Sequence, residues 1–236
     1  MDFPLTIDIN RLLGGGPLMK YNNKGYARIG VMPRYGDANS IQWFEVKPNC
    51  TFHIINSFED GHELSILQIE ILQVVVWGCR ALDSLIPHPK LNNFESFSRC
   101  YEWRLNLQTG EVKEKDLTGG KVQYMDFPMI NPNFLGIKNR YGYTQVVDPI
   151  ASSTAGSVPK YGGLAKLYFE KPGLVKQREE QDEEAIRVEY HMFEKNVFCT
   201  GAAFVPKIDG VEEDEGWIIT FVHNEDTGIS QVRSIL

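Results

Sequence analysis

The sequence is poor in the features that most readily announce a function. Its 24 lysines and arginines are outnumbered by 31 aspartates and glutamates, giving a formal charge of −7 and a pI near 5.3. It therefore lacks the basic footprint of a protein that tracks a phosphate backbone, and no nucleic acid partner is expected. The four cysteines, Cys50, Cys79, Cys100 and Cys199, include no CxxC pair. They read as reduced, structural thiols in an intracellular compartment. Nothing approaches the run of about 20 apolar residues that a spanning helix needs. The longest apolar stretch, Leu64 to Gly78, is broken by Ser65, Gln68, Glu70 and Gln73, and it predicts a buried helix or strand pair. Met1-Asp2-Phe3-Pro4-Leu5 has the form of neither a secretory nor a transit leader. The expectation is a cytosolic protein or one whose targeting segment lies outside this chain. Motifs of self-contained chemistry are missing too. There is no GxSxG elbow and no HExxH pair, and Gly14-Gly15-Gly16 runs into Pro17 instead of the Lys-Ser/Thr of a phosphate loop.

What the sequence does have is alternation. In Tyr101-Glu102-Trp103-Arg104-Leu105-Asn106-Leu107 apolar and polar residues strictly alternate, the period-2 mark of a strand with one buried face. Gln108-Thr109-Gly110 turns it into Glu111-Val112-Lys113, which predicts a hairpin. Comparable runs span Tyr26–Met32, Ile41–Val46, Thr51–Asn56, Val74–Ala81, Arg140–Val147, Gly163–Phe169, Arg187–Phe193 and Trp217–His223. Residues that favour turns punctuate them at Pro33–Asp37, Glu59–Gly61, Lys171–Gly173 and Glu225–Gly228. Asp148 to Lys160 reads as a flexible excursion and the acidic Gln177–Glu184 as a solvated turn. The fold class is all-β: a sandwich, a barrel or a propeller, among which periodicity does not choose.

Chemistry has few candidates. The histidines are His53, His62, His88, His191 and His223, without finger or HxD spacing. A lone histidine is by default a hydrogen-bonded structural group. His53 stands apart because Phe52-His53-Ile54-Ile55-Asn56 places it in an apolar strand, which predicts a desolvated imidazole in the neutral, metal-binding form. Glu59, Asp60 and Glu63 follow it. His62 lies beyond an Asp-Gly pair and is expected to be exposed.

Several stretches taken together resemble the carotenoid cleavage dioxygenase family, its plant members above all. They are Asp2-Phe3-Pro4-Leu5, Ala27-Arg28-Ile29-Gly30-Val31-Met32-Pro33-Arg34 and Phe52-His53-Ile54-Ile55-Asn56-Ser57-Phe58-Glu59-Asp60. They continue with Met125-Asp126-Phe127-Pro128-Met129-Ile130-Asn131, Arg140-Tyr141-Gly142-Tyr143 and Glu213-Asp214-Glu215-Gly216-Trp217. The stretch Phe198-Cys199-Thr200-Gly201-Ala202-Ala203-Phe204-Val205-Pro206 looks most like the zaxinone-synthase-like branch.

The resemblance implies a seven-bladed β-propeller holding Fe(II) on four histidines, where imidazole ligands suit the ion and leave positions open. It implies oxidative cleavage, by O2, of a conjugated double bond in a carotenoid or apocarotenoid to two carbonyl products. Carried over residue by residue, His53 matches one iron ligand and the other histidines match none. Asp126 stands where relatives have a glutamate that supports a ligand imidazole, and Gly201 and Ala202 stand where a second such glutamate lies. Residues 1–236 are thus expected to be an incomplete propeller domain, with amino-terminal blades and a carboxy-terminal segment missing. Asn56 and Glu59 organise the strand end. Leu64–Gln73 resembles an insertion relative to the family, expected to bulge out or disturb pairing and read as translated intron.

The functional expectation is an iron(II) dioxygenase of carotenoid catabolism. The alternative is an inactive truncated propeller that binds an apocarotenoid or a partner, because one histidine does not hold catalytic iron. The resemblance also implies plastid or cytosol, with peripheral contact to a membrane surface in the complete protein.

Overall fold

Period-2 patterning dominates the chain because most of it is strand. The structure is a computed structural model that describes residues 1–15, 19–22, 24–64, 69–81, 99–119, 124–154, 159–170 and 185–235. Strands β1 (Leu5–Ile7) and β2 (Met19–Tyr21) pair around helix α1 (Ile9–Leu13), and β3 (Ala27–Val31) pairs with β4 (Gln42–Val46). Then β5 (Cys50–Leu64), β6 (Ile69–Ala81), β7 (Arg99–Asn106) and β8 (Val112–Asp116) form a four-stranded antiparallel meander. A second meander comprises β9 (Met125–Met129), β10 (Tyr141–Val147), β11 (Tyr161–Tyr168) and β12 (Arg187–Met192). Strands β13 (Val197–Pro206), β14 (Gly216–Asn224) and β15 (Ile229–Ile235) form a third. Among the described residues, Tyr161↔Cys199 is the one ladder pair between the second meander and the third.

Apolar side chains fill the layers between successive sheets. Ala27, Ile29 and Phe44 meet Val76, Trp103 and Leu105 in one layer. Val75, Trp77, Cys79 and Cys100 point the other way, toward Met125 and Leu167 of the next sheet. Both faces of β6 and β7 are therefore covered, and the strand expected to have one buried face has two. Its polar face is buried by pairing: Glu102, 8% exposed, accepts from Trp77 Nε1 at 2.8 Å and from Arg104 Nε at 2.8 Å. Arg104 also reaches Asp60 at 3.0 Å. Such a carboxylate is tolerable inside only because each of its oxygens has a donor.

Three local expectations are corrected. Glu59-Asp60-Gly61 is strand and no turn, since the β5–β6 ladder runs unbroken from Asn56↔Trp77 to Leu64↔Ile69. Residues 64–73 accordingly lengthen a hairpin without disturbing its register, although residues 65–68 lie outside the described residues. Asp148–Lys160 contains a short helix, α2 (Pro149–Thr154), capped by Asp148 Oδ1, which accepts from Ile150 and Ala151 N–H at 3.0 and 2.9 Å. The acidic Gln177–Glu184 and the Lys171–Gly173 turn lie outside the described residues. The cysteines are all free and buried.

Candidate functional site

The first strands of the three meanders converge. Phe52, His53 and Ile54 of β5, Phe127 and Pro128 of β9, Gln145 of β10, and Thr200, Gly201 and Ala202 of β13 enclose a cavity of about 350 Å³. Three consecutive residues of β5 can share a wall only if the alternation of the strand is broken, and it is. The β5–β6 register shifts between Thr51 and His53 and again between Ile54 and Asn56. The β9–β10 ladder shifts where Phe127 and Pro128 stand against Thr144, and the β13–β14 ladder shifts at Thr200. Bulges of this kind re-aim side chains beside active sites.

The bulge in β9 builds the central pair. Phe127 has φ 49, a left-handed conformation that an aromatic residue adopts at a cost of about 1–3 kcal/mol. There its N–H donates to Asp126 Oδ1 at 2.8 Å, and the same oxygen lies 2.8 Å from His53 Nδ1. A carboxylate oxygen accepts, so Nδ1 carries the hydrogen, and it is in the neutral ring that Nε2 has a lone pair to offer. The Phe127 ring lies 4.6 Å from the imidazole and 5.4 Å from Tyr161, fixing the ring plane from one side. The His53 side chain is 36% exposed, so the desolvated imidazole expected from the apolar run is corrected: β5 turns its ring to the cavity mouth.

Asn56 and Glu213 hold the frame. Asn56, 2% exposed, donates to the carbonyls of Phe134 and Ile137 and to Asn139 Oδ1, and accepts from Ser57 and Gly136 N–H. It is a loop anchor pointing away from the chemistry. The Glu213 carboxylate takes the N–H groups of Arg140 and Tyr141, while burial raises its pKa against those hydrogen bonds. Glu59 is exposed on β5. His191 is exposed on β12 and His223 half-buried on β14, and neither lines the cavity. The side chains of His62 and His88 lie outside the described residues. A larger hollow, about 490 Å³, lies between β12 and β15, but its charges are spent on each other: Glu194 accepts from Arg233 at 2.7 Å.

The arrangement fits a metal ligand. A neutral imidazole whose Nδ1–H is fixed by a carboxylate, with Nε2 free toward a hollow, is the usual form of a metal-binding histidine. Among the described residues no three His, Cys, Asp or Glu side chains gather as a complete ligand set. Phe127, Gln145 and Thr200 had not been singled out as site residues. Two of the three inner strands, β9 and β13, had not been recognised as strands.

Comparison with known proteins gives the class. The family profile described as RPE65, retinal pigment epithelial membrane protein, matches residues 1–233. The chain belongs to this family, that of the carotenoid oxygenases. It is 33% identical over 250 residues to the carotenoid 9,10(9',10')-cleavage dioxygenase 1 of Phaseolus vulgaris, covering 100% of this chain and 41% of that protein. It is 33% identical over 228 residues to a chloroplastic 9-cis-epoxycarotenoid dioxygenase of Oryza sativa, covering 93% and 30%. The chain thus spans less than half the length of these relatives.

Among solved structures, the lignostilbene dioxygenase of Pseudomonas brassicacearum superposes with a TM-score of 0.72 at 19% identity, over 99% of this chain and 46% of that one. The cobalt-substituted apocarotenoid oxygenase of Synechocystis gives 0.67 at 17%, over 98% and 43%. The fold is that of the carotenoid oxygenases, which are seven-bladed β-propellers, and the meanders are blades of such a propeller.

Proposed function

We propose that this chain supplies the His53 side of an iron(II) site in a dioxygenase that cleaves a conjugated double bond of a carotenoid or apocarotenoid with O2, giving two carbonyl products. The observation that carries this is the His53–Asp126 pair, 2.8 Å apart, facing a cavity of mixed polar and apolar lining inside a fold shared with that family. When bound, Fe(II) would supply the activation of O2. The chain's own residues do the rest. Asp126 holds His53 in one tautomer, Phe127 fixes its ring plane, and Phe52, Ile54 and Pro128 offer an apolar surface to a polyene while keeping water from it. Further ligands would come from outside the described residues.

Relatives named as chloroplastic support a plastid location, with the cytosol as the other. No described helix is long and apolar enough to cross a membrane. Ile9, Leu12 and Leu13 of α1 are 65%, 51% and 81% exposed, which supports peripheral contact with a lipid surface, the source of such substrates. A second reading, a propeller fragment that binds an apocarotenoid without turnover, is favoured by the lone described histidine at the cavity.

One set of preparations tests both. Full-length protein is expected to hold one iron, to turn an apocarotenal over and to sediment with lipid vesicles. His53→Ala is expected to lose the iron and the turnover together. A His53→Ala protein with full iron content would sink the assignment. Stoichiometric iron with turnover in the 236-residue chain by itself would remove the second reading.

A further inference from the structure

One polar group in the cavity wall takes no part in holding His53. Gln145 of β10 is 3% exposed and lines the cavity beside the apolar Phe127, Pro128 and Ala202. Its Oε1 is already engaged: Cys199 Sγ–H donates to it at 3.3 Å, with the Gly163 carbonyl a more distant acceptor at 4.0 Å. With the Cys199 thiol donating, the carboxamide oxygen is the atom that accepts, and this is the orientation the structure has. Burial pushes the Cys199 thiol up to about 11, so it keeps its hydrogen and goes on donating through the neutral range. The amide nitrogen is thereby turned away from Cys199, toward the cavity that Gln145 lines. It has no acceptor among the described residues. Asp126, its partner in the ladder, spends Oδ1 on His53 and Phe127.

The opposite wall leaves room. A Cβ placed on Gly201 would meet nothing within 4 Å. An amide nitrogen without a protein acceptor that opens onto a cavity is satisfied there by water, or by an oxygen of whatever displaces that water. At about 350 Å³ the cavity falls within the ~300–1,000 Å³ range of small-molecule sites.

We propose that the Gln145 amide nitrogen is a substrate-recognising donor, hydrogen-bonded to a hydroxyl or carbonyl oxygen carried by the polyene in this cavity. The site then prefers an oxygenated apocarotenoid to a hydrocarbon carotene. This rests on the proposed function only in taking the cavity as the polyene site.

Equilibrium binding to the metal-free full-length protein tests it with two probes of equal length, all-trans-retinol and its hydrocarbon counterpart axerophthene, read by quenching of tryptophan fluorescence. Retinol is expected to bind tighter. Gln145→Leu is expected to weaken retinol about tenfold and leave axerophthene unchanged. Cys199→Val keeps Gln145 but frees its amide to rotate, and a loss of the same kind, about threefold, is expected. Retained axerophthene binding reports that each variant is folded. Equal losses for both probes, or no loss of retinol, overturn the role of Gln145 while the cavity reading stands. If the unaltered chain binds neither probe, the cavity reading falls and this proposal with it.

Discussion

Asp126 meets both of its donors with a single oxygen, Oδ1, at 2.8 Å from His53 Nδ1 and 2.8 Å from Phe127 N. That detail lets charge and position be separated by substitution. Asp126→Asn can keep a carbonyl oxygen in the same place, so both hydrogen bonds and the tautomer survive while the negative charge is lost. Asp126→Leu removes the oxygen as well. Since a supporting carboxylate typically contributes 10–100-fold to metal affinity, Asp126→Asn should lower it by about tenfold and Asp126→Leu by about a hundredfold. Metal titration followed by the Nε2 resonance of His53 checks the order. Equal effects from the two variants would mean that charge alone matters and that the strained turn at Phe127 has no positioning role. Position should count, because a left-handed aromatic residue is kept only where the surroundings over-determine it.

At the scale of the element, the site consists of interruptions. Each of the three inner strands is bulged where it lines the cavity, β5 on both sides of His53, β9 at Phe127 and Pro128, and β13 at Thr200. Regular alternation made β3, β4, β7, β8, β10, β11, β12 and β14 legible in the sequence. The Thr51–Asn56 and Val74–Ala81 parts of β5 and β6 were legible too, whereas bulges hid β9 and β13, since β9 mixes Asp126 and Pro128 into five residues and β13 carries Cys-Thr-Gly-Ala-Ala at its centre. His53 and Asp126 were legible through resemblance, and their direct contact was not, because no local pattern reports a turn at positive φ. Glu102 misled in the opposite sense: its alternation is genuine, yet a second sheet buries the polar face.

The long β5–β6 hairpin yields a prediction at the same scale. Removing residues 64–73 joins Glu63 to Val74, keeps the pair Glu59↔Val74, and closes the hairpin through Asp60, Gly61, His62 and Glu63, a loop of common length. What is lost is the five terminal β5–β6 rungs from Asp60↔Gln73 to Leu64↔Ile69, the rung Gln73↔Asn106 and the Asp60–Arg104 ion pair, and Arg104 retains Glu102. The expected change in stability is within about 1 kcal/mol, with polyene binding at the cavity unaltered. Thermal melting and the retinol assay measure it. Unfolding of the shortened chain would show that the extension carries the blade.

The molecule keeps its four thiols and the hydroxyls of Tyr143 and Tyr161 largely within its packed layers, and this sets how it answers to alkali. Burial raises the Cys50 thiol from 9.0 to about 12 and Cys199 to about 11, and it pushes Cys79 and Cys100 up as well. Tyr143 and Tyr161 are raised from 10.0 by the same cause, with Asp214 and Asp126 adding repulsion. Each is an acid that ionises later in the folded chain than in the unfolded one. Above pH 9 the unfolded chain has shed protons that the folded chain still holds, so the difference in bound protons is negative and stability falls as pH rises. A fully retained thiol contributes about 1.4 kcal/mol of that loss by pH 10. Four acting together reach about 5–6 kcal/mol, comparable with the ~5–15 kcal/mol by which domains are usually stable. Urea midpoints at pH 8 and pH 10 should therefore differ markedly, and thiol reagents at pH 8 should find the cysteines only after unfolding. A midpoint unchanged between the two pH values would mean that these layers admit water and that the thiols are not held in the packing described.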